Sequence, residues 1–312
     1  MARMNKNPLV AVTILNWNGR HWLSPCLDSV LATNYENFRV YLMDNGSTDG
    51  SQELIHEKYP SVIFTQSPKN LGAAEGCNVN IRRALKDGAD YVVLLDNDTK
   101  VDPNWLAPLV KAAEADPTAG IISPMHWDYE GKGLNWHIHL LLRSKTSYEE
   151  DLQKGKLQSF YETECVSSAA MMMSRSVCEQ VGLFDPLYFI YYEEPDLCRR
   201  ALYHGFRVGV FTGSRIFHYD NTYHLDIKQQ RRSYYFVRSK LLYFWKNPNE
   251  SAWTKLKGYL WWGFPKNFTK NTGWPRDLRD CVIIAYMHLW VFWQLPGILW
   301  RTRQERRGSM YL

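Results

Sequence analysis

Short apolar runs recur through the first third of the chain, and each one ends in a polar turn cluster. Leu9 to Leu15 closes on Asn16-Trp17-Asn18-Gly19, and Phe38 to Met43 closes on Asp44-Asn45-Gly46-Ser47-Thr48-Asp49-Gly50. Val62 to Thr65 leads into Asn70-Leu71-Gly72, and Tyr91 to Leu95 stops at Asp96-Asn97-Asp98. Continuous apolar runs of this length predict strands buried on both faces, as in parallel sheets. Between them the apolar positions take helical spacing, first at Trp22, Leu23, Leu27, Val30 and Leu31, then around 52–58 and 73–86. Thr48 or Asp49 is placed to cap the second of these helices. Strands alternating with helices through short loops predict an α/β fold with a mostly parallel sheet and right-handed crossovers.

The later pattern is less regular. Pro103 to Ala115 reads as a helix, Gly120 to Ser123 as a short strand, and His126 to Thr163 as an irregular acceptor-side loop or hairpin. Ala169 to Met173 reads as core filling, with Ser174 capping a short helix to Val181. Pro195 suits the first turn of a helix, and Arg207 to Phe211 reads as a strand leading towards His218. Gln229 to Trp245 reads as a helix against the preceding domain. Trp253, Leu256, Leu260 and Phe264 then fall on one helical face. Residues 281–300 hold no Asp, Glu, Lys or Arg. That length can span a bilayer. His288, Gln294 and Pro296-Gly297 interrupt it, however, and Trp290, Trp293 and Trp300 suit an interfacial anchor. Arg301, Arg303, Arg306 and Arg307 follow and favour anionic lipid. Attachment to a membrane surface, an oligomer or domain contact, and a true span all stay open. The expected division is a catalytic domain over 1–225 and a helical, membrane-associating region over 226–312.

Composition changes this picture little. With 312 residues, 45% hydrophobic and 22% charged, the chain is that of a folded protein with a full core. A net charge of +5 gives weak ground for a nucleic-acid partner, and none is expected. The six cysteines form no C-x-x-C pair. The start lacks an apolar signal segment, so a cytoplasmic location with reduced thiols is expected.

Candidate chemistry sits at the strand ends. Asp96 and Asp98 are one residue apart, so in an extended chain they point the same way. Ligands of open α/β sheets bind at that edge. Two carboxylates there suit Mg²⁺ or Mn²⁺ holding a nucleotide's phosphates, although Asp-Asn-Asp also makes an ordinary polar turn. No Rossmann fingerprint or Walker A sequence is present, so a cation would have to neutralise those phosphates. Glu193, Glu194 and Asp196 are explained either by a helix N-terminus or by acid–base chemistry.

Together these pieces resemble the inverting nucleotide-sugar glycosyltransferases of family 2, with the GT-A fold. The likeness is greatest to the bacterial branch that includes rhamnosyltransferases of cell-surface polysaccharide assembly. The resemblance rests on Val12 to Gly19, Asp44 to Ser51, Asn70 to Asn78, Leu94 to Asp98, Tyr191 to Arg199 and His218, in order over about residues 8–245. It implies a GT-A type, Rossmann-like sheet with flanking helices, plus a C-terminal helical, aromatic-rich extension. It implies a donor site formed by Asn16, Asp44, Asn70, Gly72 and Asp96, with Asp44 on the nucleobase. It also implies a divalent metal, Mg²⁺ or Mn²⁺, on Asp98 and Asp96, with His218 as a further metal or phosphate contact. Glu193-Glu194 stands at the family's catalytic-base position, where the second residue is usually Asp; Glu194 is favoured over Glu193. The implied donor is a nucleotide sugar, dTDP-rhamnose first and a UDP-hexose next. The implied acceptor is a lipid-linked or polysaccharide glycan at the inner face of the plasma membrane. A homo-oligomer is the other use for the aromatic C-terminal stretch.

Inversion needs an acceptor hydroxyl in line with the leaving diphosphate and a carboxylate to take its proton. Two other functions compete. A sugar nucleotidyltransferase would carry a Gly-rich, Arg-containing phosphate loop after the first strand, which Asn16 to Arg20 does not resemble. An inactive membrane-attached binding protein of the same fold would have little use for Asp96, Asp98, Glu193 and Glu194.

Overall fold

The computed structural model describes residues 7–219, 234–259 and 278–312. The predicted alternation is present as β1 (Val10–Asn16), α1 (Arg20–Leu31), β2 (Phe38–Asp44), α2 (Ser51–Lys58), β3 (Ile63–Gln66), α3 (Gly72–Lys86) and β4 (Tyr91–Asp96). β1 pairs in parallel with β2 and β4, and β2 pairs in parallel with β3. The runs are continuously apolar because both sheet faces are covered. Val12 and Ile14 join a core cluster with Leu23 and Leu27 of α1, while Ala11, Val92 and Leu94 join another with Ile81 and Ala84 of α3.

The chain continues through β5 (Thr99–Val101), α4 (Leu106–Ala115), β6 (Ala119–Asp128), α5 (Trp136–Lys145), α6 (Tyr148–Gln153) and β7 (Phe160–Glu162). It then forms β8 (Ala170–Ser174), α7 (Arg175–Gln180), α8 (Glu193–Tyr203) and β9 (Arg207–His218). β8 lies antiparallel between β4 and β6, and β5 and β7 pair antiparallel with β9. Among the described residues the sheet has nine strands, ordered β3-β2-β1-β4-β8-β6-β9-β5, with β7 also on β9.

Several sequence expectations are corrected in this half. The fourth helix starts at Leu106, because Thr99 to Val101 pairs with β9 and the chain turns at Asp102. The short strand at Gly120 extends to Asp128; its register shifts after Pro124, which breaks the apolar pattern. The segment 126–163 is not irregular but holds two helices and a strand. Ser174 does cap α7, accepting from the Val177 amide at 3.3 Å. At α2, Gly50 in the left-handed conformation takes the cap position instead of Thr48 or Asp49.

Three further helices are α9 (Tyr234–Trp245), α10 (Ala252–Gly258) and α11 (Leu278–Glu305). Val237 and Leu241 of α9 and Ile284, Met287 and Val291 of α11 belong to the same core cluster as Val92 and Leu94. The expected boundary at 225/226 lies outside the described residues, as do Leu260 and Phe264. Trp253 is exposed while Leu256 packs against the core, so these two do not share one buried face. Among the described residues no helix is long and apolar enough to cross a membrane. Near the middle of α11, His288 is buried against protein and bonded through Nδ1 to the Tyr259 hydroxyl.

Candidate active site

β1, β2 and β4 end side by side, with Asn16 opposite Asp44 and Leu15 opposite Asp96. The expected donor-site residues therefore share one edge of the sheet. Asp44 is fully buried there. Its Oδ2 accepts from Asn16 Nδ2 at 3.1 Å, and its Oδ1 accepts from the Ser47 amide and Gln52 Nε2, each at 2.9 Å. In this structure Asp44 ties together the loops after β1 and β2. Asn70 Oδ1 accepts from the Gly72 amide at 2.7 Å and from Asn45 Nδ2 at 3.1 Å, which fixes the start of α3. Gly72 has φ 84°, and a Cβ there would lie 2.4 Å from the Phe189 carbonyl oxygen. Only glycine fits such a position.

Asp96 and Asp98 do converge, but not by strand alternation. The chain turns at Asn97-Asp98, and Thr99 Oγ1 donates to the Asp96 carbonyl at 2.7 Å to close that turn. β5 then pairs with β9, setting Thr99 opposite His218. This brings His218 Nε2 to 3.3 Å from Asp98 Oδ1 and 3.9 Å from Asp96 Oδ2. One ligand atom from each of Asp96, Asp98 and His218 lies within 4.8 Å of the others. Two hard carboxylates and an imidazole at this spacing fit a divalent cation. Loss of solvent around the strand end and the adjacent Asp98 carboxylate push Asp96, whose side chain is still 47% exposed, up to about 7, against the pull of His218. Gathered negative charge of this kind is what a cation relieves. Behind the group, His126 is buried, and burial pushes it down to about 3, so it stays neutral.

Glu193 and Glu194 open α8 on the other side of the same edge. Glu194 is half-buried and accepts from Ser168 Oγ at 2.6 Å. Glu193 is only 6% exposed, and its Oε2 meets no hydrogen-bond partner among the described residues. Burial, reinforced by the Glu194 charge, raises Glu193 well above the ordinary carboxylate range. A small cavity of about 90 Å³ is lined by Asp96, Ser168 and Glu193, so one acid of the aspartate cluster and one of the glutamate pair border one space. Asp196, the third acid, faces away and belongs to the core. Its carboxylate holds Arg200 Nε and Lys246 Nζ, each at 3.0 Å. Lys246 also reaches Asp185 at 2.7 Å and Glu305 at 2.6 Å.

The glycosyl transferase family 2 model matches residues 11–182, more than half of the chain. The chain belongs to glycosyl transferase family 2. This glycosyltransferase is 26% identical over 282 residues to the N-acetylglucosaminyl-diphospho-decaprenol L-rhamnosyltransferase of Mycobacterium tuberculosis, covering 81% of this chain and 90% of the relative. It is 30% identical over 124 residues to the poly-beta-1,6-N-acetyl-D-glucosamine synthase of Staphylococcus aureus, covering 38% of this chain and 29% of that protein. Among solved structures, the mannosyltransferase of Pyrobaculum calidifontis in complex with GDP-Man and Mn²⁺ superposes with a TM-score of 0.60 at 17% identity, covering 96% of this chain and 87% of the other. S. aureus TarS 1–349 in complex with UDP gives 0.57 at 13% identity, covering 87% and 76%. The enzyme therefore has the GT-A fold.

Sequence reasoning missed two partners in the glycosyltransferase's site. Ser168 reaches Glu194 because β8 runs antiparallel to β4, setting the start of one strand beside the end of the other. Asn97 donates to Asn16 Oδ1 at 2.7 Å, locking the Asp96 turn to the first strand. No spacing in the sequence signals either contact, since each depends on a pairing across more than seventy residues.

Proposed function

We propose that this family 2 enzyme is an inverting glycosyltransferase that moves a sugar from a nucleoside-diphosphate sugar to a hydroxyl of a lipid-linked or polysaccharide glycan. The arrangement that carries this reading is the cavity that Asp96, Ser168 and Glu193 line together. Glu194 is the group suited to be the base. It is accessible, it belongs to the cavity edge through Ser168, and an ionised carboxylate there can take the acceptor's proton during attack. Glu193 is buried and favours its neutral form, so it serves the site by shape instead of by proton removal. Asp96, Asp98 and His218 would hold Mg²⁺ or Mn²⁺, which when bound neutralises charge on the leaving diphosphate. Asn16, Asp44, Asn70 and Gly72 give the donor loops their shape. A relative named as an L-rhamnosyltransferase favours dTDP-rhamnose as donor, and the UDP of a structural neighbour keeps UDP-hexoses second.

A membrane-surface location fits the same reading. α11 exposes Val282, Tyr286, Leu289, Trp293 and Trp300 at helical spacing, with Trp293 84% and Leu289 69% exposed. Arg303 and Arg307 are exposed next to this stripe. An apolar face beside cations suits an anionic leaflet, where a lipid-linked acceptor would also lie. The inner face of the plasma membrane is the corresponding location.

The function is tested by measuring nucleoside diphosphate release across a panel of nucleotide sugars with a lipid-linked acceptor. Glu194→Gln should lower turnover by roughly 10²–10⁴-fold while nucleotide affinity stays constant. A fully active Glu194→Gln beside a crippled Glu193→Gln would transfer the base role to the neighbour.

A further inference from the structure

The chain enters α8 through a turn that most residues avoid. Tyr191 has φ 70° and Tyr192 has φ 68°, two consecutive non-glycine residues in the left-handed region, and Tyr192 is the residue from which the helix starts. Strain of this kind persists only where surrounding structure over-determines it, and such sites gather where geometry matters to function.

The compensation comes from α9. Phe236 packs against both tyrosines, at 5.8 Å from Tyr191 and 5.5 Å from Tyr192 between ring centroids, and Tyr243 lies 5.3 Å from Tyr192. Ser239 Oγ donates to the Ile190 carbonyl at 2.9 Å, and Arg238 Nη2 donates to the Leu187 carbonyl at 2.9 Å. On the opposite side the Phe189 carbonyl accepts from the Ala73 amide at 2.6 Å, against the same Gly72 that leaves no room for a Cβ. The turn is thus gripped by α9 and fastened to the start of α3, which the donor loops also hold.

A helix advances about 100° per residue, so the conformation of the turn decides which side chain of the first turn faces the cleft. We propose that the Tyr191–Tyr192 turn, clamped by α9, is a positioning device that sets the rotational phase of α8 so that Glu194 meets the acceptor hydroxyl. This rests on Glu194 being the base. Tyr192 acts through Glu194 and is a positioning residue.

The test is Tyr192→Gly, with Tyr192→Phe as the conservative variant and Phe236→Leu as an independent break of the clamp. Glycine enters the left-handed region freely, so Tyr192→Gly removes the ring that fixes the turn without adding strain. Its kcat at saturating acceptor should fall about 10–100-fold, the cost of misplacing a reacting group by about an ångström. Nucleotide Kd should stay constant, and the protein should remain folded at the assay temperature although the lost ring packing lowers its melting temperature. Tyr192→Phe should keep kcat, and Phe236→Leu should show the same loss of kcat at constant Kd. Wild-type kcat in both Tyr192→Gly and Phe236→Leu overturns the proposal, as does a loss of kcat that only follows a loss of folded protein and nucleotide binding in both. If Glu194→Gln is inactive while these variants turn over normally, only the positioning proposal fails. If Glu194→Gln is fully active, the base reading fails instead.

Discussion

Glu193 and Glu194 are adjacent in sequence and opposite in environment, and that contrast is open to measurement. Burial raises Glu193 above its ordinary value, so the folded protein keeps a proton there that the unfolded chain releases. Its contribution to stability is therefore lost as pH rises from about 4, the ordinary carboxylate value, towards the folded one. Glu193→Gln should match the wild type in urea titrations at pH 4 and exceed it at pH 7. A stability gap that does not widen over that interval would place Glu193 in contact with solvent or a cation. The strand-end acids carry the next expectation. Asp98→Ala should abolish transfer, and EDTA should do the same to the wild type until Mn²⁺ or Mg²⁺ is restored. Full turnover in EDTA would remove the metal from the site.

At the scale of elements, α8 is held from behind by charges buried between helices. Although burial opposes its charge, Lys246, just after α9, is kept protonated by Asp185, Asp196 on α8 and Glu305 at the end of α11. Removing one partner from a buried ion cluster leaves charge uncompensated, and such losses reach about 3–5 kcal/mol. Glu305→Gln should therefore destabilise the protein by roughly 3 kcal/mol in urea unfolding. A surface-like change of under about 0.5 kcal/mol would mean that the end of α11 does not support α8. The outer face of α11 makes a separate prediction. The full chain should bind vesicles containing anionic lipid more tightly than neutral ones, and added salt should weaken that binding. A protein that ignores both vesicles yet runs as a dimer would assign the Trp293 face to a second copy.

At the scale of the whole molecule, the sequence by itself determined the first half of the sheet and the polar edge at which its strands end. Apolar runs such as Val10 to Leu15 and Tyr91 to Leu95 are buried on both faces, so local composition alone reveals the strands, and the polar residues that end them reveal the edge. The family motifs carried Asp96, Asp98, His218 and the glutamate pair to their positions along the chain. The tertiary structure decided what those residues meet. His218 reaches Asp98 only because β5 and β9 pair across more than a hundred residues, and Ser168 reaches Glu194 only because β8 turns antiparallel. The helices between 126 and 163 stayed hidden because short mixed segments carry weak periodicity and take their structure from what they pack on. The contrast in burial between Glu193 and Glu194 was equally hidden, since two identical side chains carry no sign in the sequence of which one folding will cover. Asp196 and Lys246 look like surface charges in the sequence, and they are core residues because folding brings opposite charges from α8, the end of α11 and the segments after α7 and α9 to one dry point.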